Sequence, residues 1–358
     1  MIGTAYIDGF DFRNARFDCL PHIFEVAPSR TLELRNLKLS AAQSAVLATR
    51  PGPIELILEE CTFSDEGKAF VDAAESHKSS FKTLAFVNSS PLNDDNLKRL
   101  LQLDTIERLG LPQLSDDLAL LPFAAKIDHL DYDILTLSLF EPEFQTVDIV
   151  PKKLALTMLQ DYKYMQTKII DVFKRLENVG HFEELKLRFK FDDNEAGIPR
   201  FVSYTLISAV MANPNLKVLD LGTDEDDLEW DMHVQTLFDG LKDHPGLRVI
   251  KLNVCQAAFG PNYMHLRKLL ARNPNIIVTN ENDDIYTDGS LVDELYAMHR
   301  FFHGSAELAI QPPLERVSLV GTALVEQASN DFCRSAILLS HHADALNELV
   351  QGAVSDEH

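Results

Sequence analysis

Two histidines have the spacing that a zinc site on a helix would use. His299 and His303 lie four positions apart in a predicted helix, so their rings would project from one face. A zinc-protease motif would also place a glutamate between the histidines, and a zinc site needs a further ligand nearby. Neither is present in the sequence, so we expect no metal site there.

No other motif predicts bond-making chemistry. The sequence contains no P-loop, no G-x-G-x-x-G and no G-x-S-x-G. The cysteines are far apart and form no C-x-x-C pair: Cys19, Cys61, Cys255 and Cys333. We therefore expect no cofactor and no catalytic function, and free thiols in a reducing compartment, the cytoplasm or else the nucleus.

Three acidic segments could bind a basic tail or a divalent cation. They are 192–195, 224–231 and 280–284, and each follows a predicted strand and precedes a predicted helix. None has the ligand spacing of an EF-hand, and the helix dipole also favours acids at helix N-termini. The candidates in this acidic rim are Asp192, Asp193, Asp226, Asp227, Trp230, Asp283 and Asp284. The single tryptophan is either an anchor for a partner or a packing residue.

The chain is strongly acidic, with a formal net charge of −22 from 55 acidic and 33 basic residues. Duplex DNA and anionic membranes bind basic surfaces, so neither nucleic acid nor membrane is expected as a partner. A basic protein partner is compatible with this charge, although acidic side chains on outer helices also keep a protein soluble. Residues 1–17 lack the pattern of a signal peptide, and no stretch has the length and apolarity of a membrane span.

Most of the sequence is a repeat of one strand-like unit. Residues 213–223 (NPNLKVLDLGT) and 244–255 (HPGLRVIKLNVC) share the pattern L-x-x-[LI]-x-L. Alternating apolar residues place both side chains on one face of a short strand. Further copies begin near residues 32, 56, 81, 106, 127, 154 and 182, a degenerate copy covers 273–280, and a last copy covers 314–324.

Amphipathic helices separate the clearest copies of this unit. Segments 201–212, 233–242 and 263–271 carry apolar residues at a helical period. A proline follows each segment and would stop the helix before the next strand: Pro214, Pro245 and Pro274. The segment 325–350 is predicted to be a terminal helix that closes the last repeat.

A helix, an N-P or H-P turn and an L-x-x-L-x-L strand, repeated in this order, resemble the ribonuclease-inhibitor-like class of leucine-rich repeat proteins. The resemblance covers roughly residues 29–324. It implies an α/β fold, a leucine-rich-repeat solenoid (horseshoe) of about eleven repeats, with a parallel sheet on the concave face and helices on the convex face. Residues 1–28 would form an N-terminal cap, and residues 325–358 a C-terminal capping helix and tail.

In such a solenoid, the residues between the apolar strand positions form the concave wall. Its candidate binding residues are Lys186, Arg188, Lys217, Arg248, Lys251, Glu55, Glu59 and Asp131. The acids fall in the N-terminal half and the bases in the C-terminal half. Because stacked strands lie about 4.8 Å apart, we expect two patches of opposite charge that steer a partner of opposite polarity. The alternative is that these charges pair across strands, for example Glu184 with Lys217.

The function predicted from these patterns is non-catalytic binding of a protein partner by a monomer, through the concave wall or the acidic rim. Members of the class mostly bind proteins, and a few are GTPase-activating proteins or ubiquitin-ligase substrate receptors. A GTPase activator would deliver a polar rim residue to a bound nucleotide. A ligase receptor would need an adaptor-binding segment, and none is recognisable in residues 1–28. Cys61 and Cys255 occupy the turn position of the repeat and are predicted to be structural.

Overall fold

The computed structural model describes residues 5–9, 31–49, 53–159, 166–190, 200–222, 230–310, 313–328 and 331–355. Within these residues, eleven strands form one sheet in which each strand pairs in parallel with the next along the chain. The strands of this main sheet are β1 (Ala5–Asp8), β2 (Leu32–Arg35), β4 (Ile54–Glu59), β6 (Phe81–Val87), β7 (Ile106–Leu111), β8 (His129–Leu135), β9 (Lys153–Leu159), β10 (Glu184–Lys190), β11 (Val218–Leu221), β12 (Val249–Leu252) and β13 (Ile277–Thr279). Two short strands, β3 (Lys38–Leu39) and β5 (Thr62–Phe63), form a second parallel pair. The predicted α/β class with a large parallel sheet is confirmed.

One row of apolar side chains crosses the main sheet from β2 to β13. The members of this row, each in register with the next, are Leu32, Leu56, Leu84, Leu109, Leu130, Leu154, Leu185, Leu219, Ile250 and Val278. All of them are buried in a single continuous core. Burying one leucine or isoleucine side chain contributes about 1.5–3 kcal/mol. The L-x-L pattern therefore determines which face of every strand turns inward.

Helices connect the strands and cover the inner face of the sheet. They are α1 (Ala41–Ala48), α2 (Lys68–His77), α3 (Asp94–Leu100), α4 (Thr136–Phe140), α5 (Gln166–Val179), α6 (Arg200–Met211), α7 (Val234–Leu241), α8 (Met264–Arg272), α9 (Leu291–Leu308), α10 (Pro313–Ala323) and α11 (Phe332–Ser355). The apolar stripe predicted for 233–242 is buried in α7: Val234, Leu237, Phe238 and Leu241. Phe173 of α5 meets Phe189 of β10 edge to face, with ring centroids 6.2 Å apart.

The helical layer is thin between β7 and β9. The connection from β7 to β8 contains a 3-10 turn at Leu121–Ala124. The connection from β8 to β9 contains only the five-residue helix α4 and a 3-10 turn at Pro142–Gln145. The repeat is therefore irregular at this point, and loops replace the longer helices found elsewhere.

A left-handed residue follows each of the strands β1, β2, β4 and β6. These residues are Gly9, Asn36, Glu60 and Asn88, with φ of 69°, 50°, 52° and 64°. The backbone N–H groups of Asn36 and Glu60 donate to carbonyl oxygens on the next strand, at 2.9 Å and 3.2 Å. Glycine and asparagine adopt this conformation readily, but glutamate does so at a cost. The same turn thus recurs along the edge of the sheet, and Glu60 is its strained copy.

The residues that precede Pro214, Pro245 and Pro274 form a ladder of hydrogen bonds from one repeat to the next. Asn213, His244 and Asn273 are all buried. The Nε2 of His244 lies 3.1 Å from the carbonyl oxygen of Asn213, and the Nδ2 of Asn273 donates to that of His244 at 3.0 Å. Asn213 in turn donates to Leu176 of α5 at 3.3 Å. Each turn is therefore tied to the preceding repeat by one side chain.

The prediction of a strand within 314–324 is wrong. Residues 314–323 lie in α10, which packs against α11, and Val320 is fully buried while Leu319 is exposed. Leu324 begins the π-helical turn that follows. Their apolar spacing fits a helix as well as a strand, so period alone did not separate the two. The main sheet instead gains β1 at its other edge, inside the segment predicted to be a cap. The remainder of that segment, residues 1–4 and 10–28, lies outside the described residues. The helix α11 covers most of the predicted terminal helix.

Candidate protein-binding surface

The outer strand face consists of the strand residues that alternate with the core residues. Along β8 and β10, buried and more accessible residues alternate, because successive side chains of a strand point to opposite sides of the sheet. The charged and histidine members of this face are Glu33, Arg35, Glu55, Glu59, Arg108, His129, Asp131, Asp133, Lys153, Glu184, Lys186, Arg188, Lys190, Asp220 and Lys251. Helices pack on the other side, so this face is the wall that the sequence predicts to be concave.

The acidic residues predicted in the N-terminal half of the wall have basic partners. The pairs are Glu55 with Lys82 (2.6 Å), Glu59 with Arg35 (2.7 Å) and Asp131 with Arg108 (3.2 Å). This half is therefore not purely acidic, which corrects the expectation of an acidic patch. The pattern within one copy does not reveal these cations, because each ion pair joins residues of two copies. Placing the copies in register puts Arg35 beside Glu59.

Bases in the C-terminal half of the wall, Lys217 and Lys251 among them, are paired as well. The pairs are Lys153 with Glu184 (3.1 Å), Lys217 with Glu183 (2.7 Å) and Lys251 with Asp283 (2.5 Å). Pairing across strands is thus the arrangement for part of the wall, although Lys217 meets Glu183 and not Glu184. Arg248 contacts the backbone, donating from Nη1 to the carbonyl oxygens of Pro245 and Leu247.

Strand β10 carries three basic side chains in one row of the outer strand face. Lys186, Arg188 and Lys190 alternate with the buried Leu187 and Phe189, so neighbours in the row are about 6.6 Å apart. Lys186 is half-buried and lies in register between Ala155 and Asp220. It makes no ion pair with any other residue that the structure describes. A partner that binds its ammonium group would therefore displace no ion pair with a described residue.

Asp220, which is in register with Lys186, makes a hydrogen bond within a turn. Its Oδ1 accepts a hydrogen bond from the backbone N–H of Gly222 at 2.9 Å. A Cβ on Gly222 would lie 3.1 Å from this oxygen, so the turn leaves little space for a larger residue. The carboxylate therefore stabilises the turn that follows β11.

Burial and ion pairing shift the pKa values of several groups on or beside the outer strand face. Burial, and then the charge of Arg108, lowers the pKa of His129, so this imidazole is neutral at neutral pH. Burial raises the pKa of Asp133 above its ordinary value. The hydrogen bond to Glu184 raises the pKa of Lys153, and the hydrogen bond from Lys217 lowers that of Glu183. Lys153 and Glu183 consequently stay charged near neutral pH.

The described part of the acidic rim touches the basic wall. Asp283 lies in the turn 280–284 and pairs with Lys251 of β12. Asp284 accepts a hydrogen bond from the Nδ2 of Asn280 at 3.1 Å. The other aspartates predicted for the rim, Asp192, Asp193, Asp226 and Asp227, lie outside the described residues. Rim and wall are thus not separate surfaces at this turn.

Trp230 belongs to the core and not to the rim. Its side chain is 0% exposed, and its ring meets His233 edge to face with centroids 6.3 Å apart. A fully buried indole cannot anchor a partner, so of the two predicted roles the structure supports packing.

The cysteines at the repeat turn differ from each other. Cys61 is buried, and its Sγ donates to the carbonyl oxygen of Leu34 at 3.2 Å; burial raises the pKa of this thiol. Its predicted structural role is confirmed. Cys255 is exposed. Its backbone N–H, and not its thiol, makes the local contact, donating to Oδ1 of Asp231 at 3.0 Å.

The two histidines with helical spacing make separate structural contacts. The Nε2 of His303 lies 3.2 Å from the carbonyl oxygen of Pro274, so this ring ties α9 to the preceding turn. Burial lowers the pKa of His299. Among the described residues, no three His, Cys, Asp or Glu side chains are grouped so that they could hold a metal ion.

Comparison of the chain with protein-family models gives no match, and comparison with curated protein sequences gives none either. In the described part of the chain, every helix is too short or too polar to cross a membrane.

Proposed function

We propose that the chain is a leucine-rich repeat protein of the ribonuclease-inhibitor-like class, with the outer strand face as the concave wall of a horseshoe. Three features support this proposal. The strands of the main sheet follow one another in parallel, with helices in most of the connections. One apolar row crosses every main-sheet strand from β2 to β13, and Cys61 fills the turn position with a hydrogen bond to the preceding repeat. The ladder of Asn213, His244 and Asn273 further supports a regular stacking of repeats.

The function of this wall is proposed to be non-catalytic binding of a protein partner. The observation that carries the proposal is the basic row Lys186, Arg188 and Lys190 on one strand of a chain whose net charge is −22. Although the net charge is negative, positive charge on one strand attracts an acidic partner at close range. It also orients that partner during approach. An acidic segment laid across β10 is the partner chemistry that fits.

The ion pairs that flank this row would not prevent binding. Lys217 and Glu183 have side chains 60% and 30% exposed, and Lys153 and Glu184 are similarly accessible. Exposed pairs of this kind contribute about 0–1 kcal/mol. A partner can therefore replace one of them with its own carboxylate at little cost.

The test is capture of partners from native lysate by wild-type protein and by the reversal variant Lys186→Glu, Arg188→Glu, Lys217→Glu. The matched control is Lys174→Glu, Lys242→Glu, Arg272→Glu, which reverses three bases on the helical side: Lys174 in α5, Lys242 directly after α7 and Arg272 in α8. A partner held by wild type and by the control, released by salt and lost from the reversal variant, is the expected result. An identical set of partners for all three proteins would show that the outer strand face does not bind them.

A further inference from the structure

A groove opens at the carboxyl end of β8, where the helical layer is thin. It lies between the segment 112–121, which follows β7, and the segment 136–143, which contains α4. Its volume is about 620 Å³. Pockets that bind ligands commonly have volumes of roughly 300–1,000 Å³, so this groove could hold several side chains of a bound segment.

The floor of the groove is apolar. It is formed by Leu120, Leu121, Leu135 and Leu137. Leu121 and Leu137 both line the groove and are 39% and 40% exposed. Covering them would contribute about 25 cal/mol for each Å² of apolar surface removed from water.

The walls of the groove are held in place from below. The hydroxyl of Tyr132 donates to the carbonyl oxygen of Ala119 at 3.0 Å, and the Oγ1 of Thr136 donates to that of Leu159 at 3.0 Å. Beneath the groove, Phe123 and Phe144 meet edge to face with centroids 5.5 Å apart. Because both walls are anchored in the core, a ligand would not have to order them on binding.

Four carboxylates surround the apolar floor. Asp116 and Asp117 lie on one wall, and Glu141 and Glu143 on the other, and all four are exposed. None of them makes an ion pair with another residue in the part of the chain that the structure describes. This differs from the outer strand face, where Glu55, Glu59 and Asp131 each have a basic partner. Among the described residues, no cation neutralises this negative charge.

We propose that this groove binds a lysine- or arginine-rich segment of a partner protein that also presents large apolar side chains. The apolar side chains would cover Leu121 and Leu137, and the basic side chains would pair with the carboxylates on both walls. The proposal follows from charge complementarity, since an acidic or neutral segment would leave the four carboxylates without partners. The groove is distinct from the outer strand face, which takes a ligand of the opposite charge.

The experiment is a fluorescence anisotropy titration of the full chain with a labelled synthetic peptide, rich in lysine, that carries two leucines at helical i, i+3 spacing. Glu141→Gln with Glu143→Gln removes two charges from one wall, and Leu137→Ala shortens one apolar contact. The matched control is Glu307→Gln with Glu326→Gln, which removes two exposed charges from the C-terminal helices. Thermal unfolding of each variant checks that it is folded.

We expect the wall variant to bind the peptide about tenfold more weakly than wild type, which corresponds to about 1.4 kcal/mol. Leu137→Ala should also weaken binding, while the control binds like wild type. A peptide in which alanines replace both leucines should bind weakly to every protein. Equal affinity of the wall variant and the control would overturn the proposal. Equal affinity of the leucine and alanine peptides would show attraction to the net charge alone and would overturn it too.

Discussion

His244 is the residue through which three repeats are tied together, and its replacement should be costly. Its Nε2 lies 3.1 Å from the carbonyl oxygens of both Val210 and Asn213, and its Nδ1 accepts from the backbone N–H groups of Gly246 (3.2 Å) and Leu247 (2.9 Å). Carbonyl oxygens accept and N–H groups donate, so the ring must carry its proton on Nε2. The buried imidazole is therefore held in one neutral tautomer.

The variant His244→Ala would leave two backbone N–H groups without acceptors. At about 1–3 kcal/mol for each unsatisfied buried group, the expected loss of stability is about 3 kcal/mol. His244→Asn should cost about 1 kcal/mol, because one hydrogen bond is lost while the others can be remade. Asparagine already makes the equivalent contacts in the next repeat, where Asn273 donates to the preceding turn and accepts from the backbone N–H of Asn275.

The contribution of His244 should also depend on pH. Burial lowers the pKa of the folded imidazole below its ordinary value of 6.5, so the unfolded chain binds the proton more tightly than the folded one. Stability is consequently present above the ordinary pKa and is lost as pH falls below it, at no more than about 1.4 kcal/mol per pH unit. Relative to His244→Asn, wild type should therefore lose its advantage progressively as pH falls below the ordinary pKa of 6.5.

Urea unfolding of wild type and both variants, followed by circular dichroism at several pH values, measures these differences. If His244→Ala and His244→Asn unfold at the same urea concentration, the hydrogen bonds of the ring are not what stabilises this turn. If the difference between wild type and His244→Asn is the same at every pH, the tautomer argument fails.

Three further outcomes follow from single positions. A Cβ on Gly246 would lie 2.2 Å from the carbonyl oxygen of Pro214, so Gly246→Ala should lower stability by about 1–3 kcal/mol; Gly304→Ala, where a Cβ meets nothing within 4 Å, is the control. Glu60→Asn should raise the urea midpoint, with a gain of about 0.5–1 kcal/mol from relief of the left-handed backbone; a lower midpoint would contradict this account. Trp230 is fully buried, so native fluorescence should be blue-shifted and resist iodide, and strong quenching before unfolding would place the indole at the surface.

Local patterns in the sequence were sufficient for most of the sheet. The alternation L-x-L predicted the strands from β2 to β12 and their buried faces, because it is a property of each segment alone. The helical stripe of 233–242 and the prolines after the helices were reliable for the same reason. The pattern failed at 314–324, where leucines and valines are spaced so that a strand and a helix both bury some of them. Only packing against α11 distinguishes the two.

The ion pairs on the surface could not be predicted from local patterns, because each of them joins residues that are far apart in the chain. Lys82 meets Glu55 across 27 residues, and Lys217 meets Glu183 across 34. Which carboxylate a lysine reaches depends on the register of neighbouring strands, and no local period encodes that register. The acidic groove likewise forms only when the loops after β7 and β8 are brought side by side. The sequence by itself therefore determined the repeated unit and its inward face, whereas tertiary structure decided which charged side chains pair with one another, because pairing depends on how strands and loops far apart in the chain are brought together.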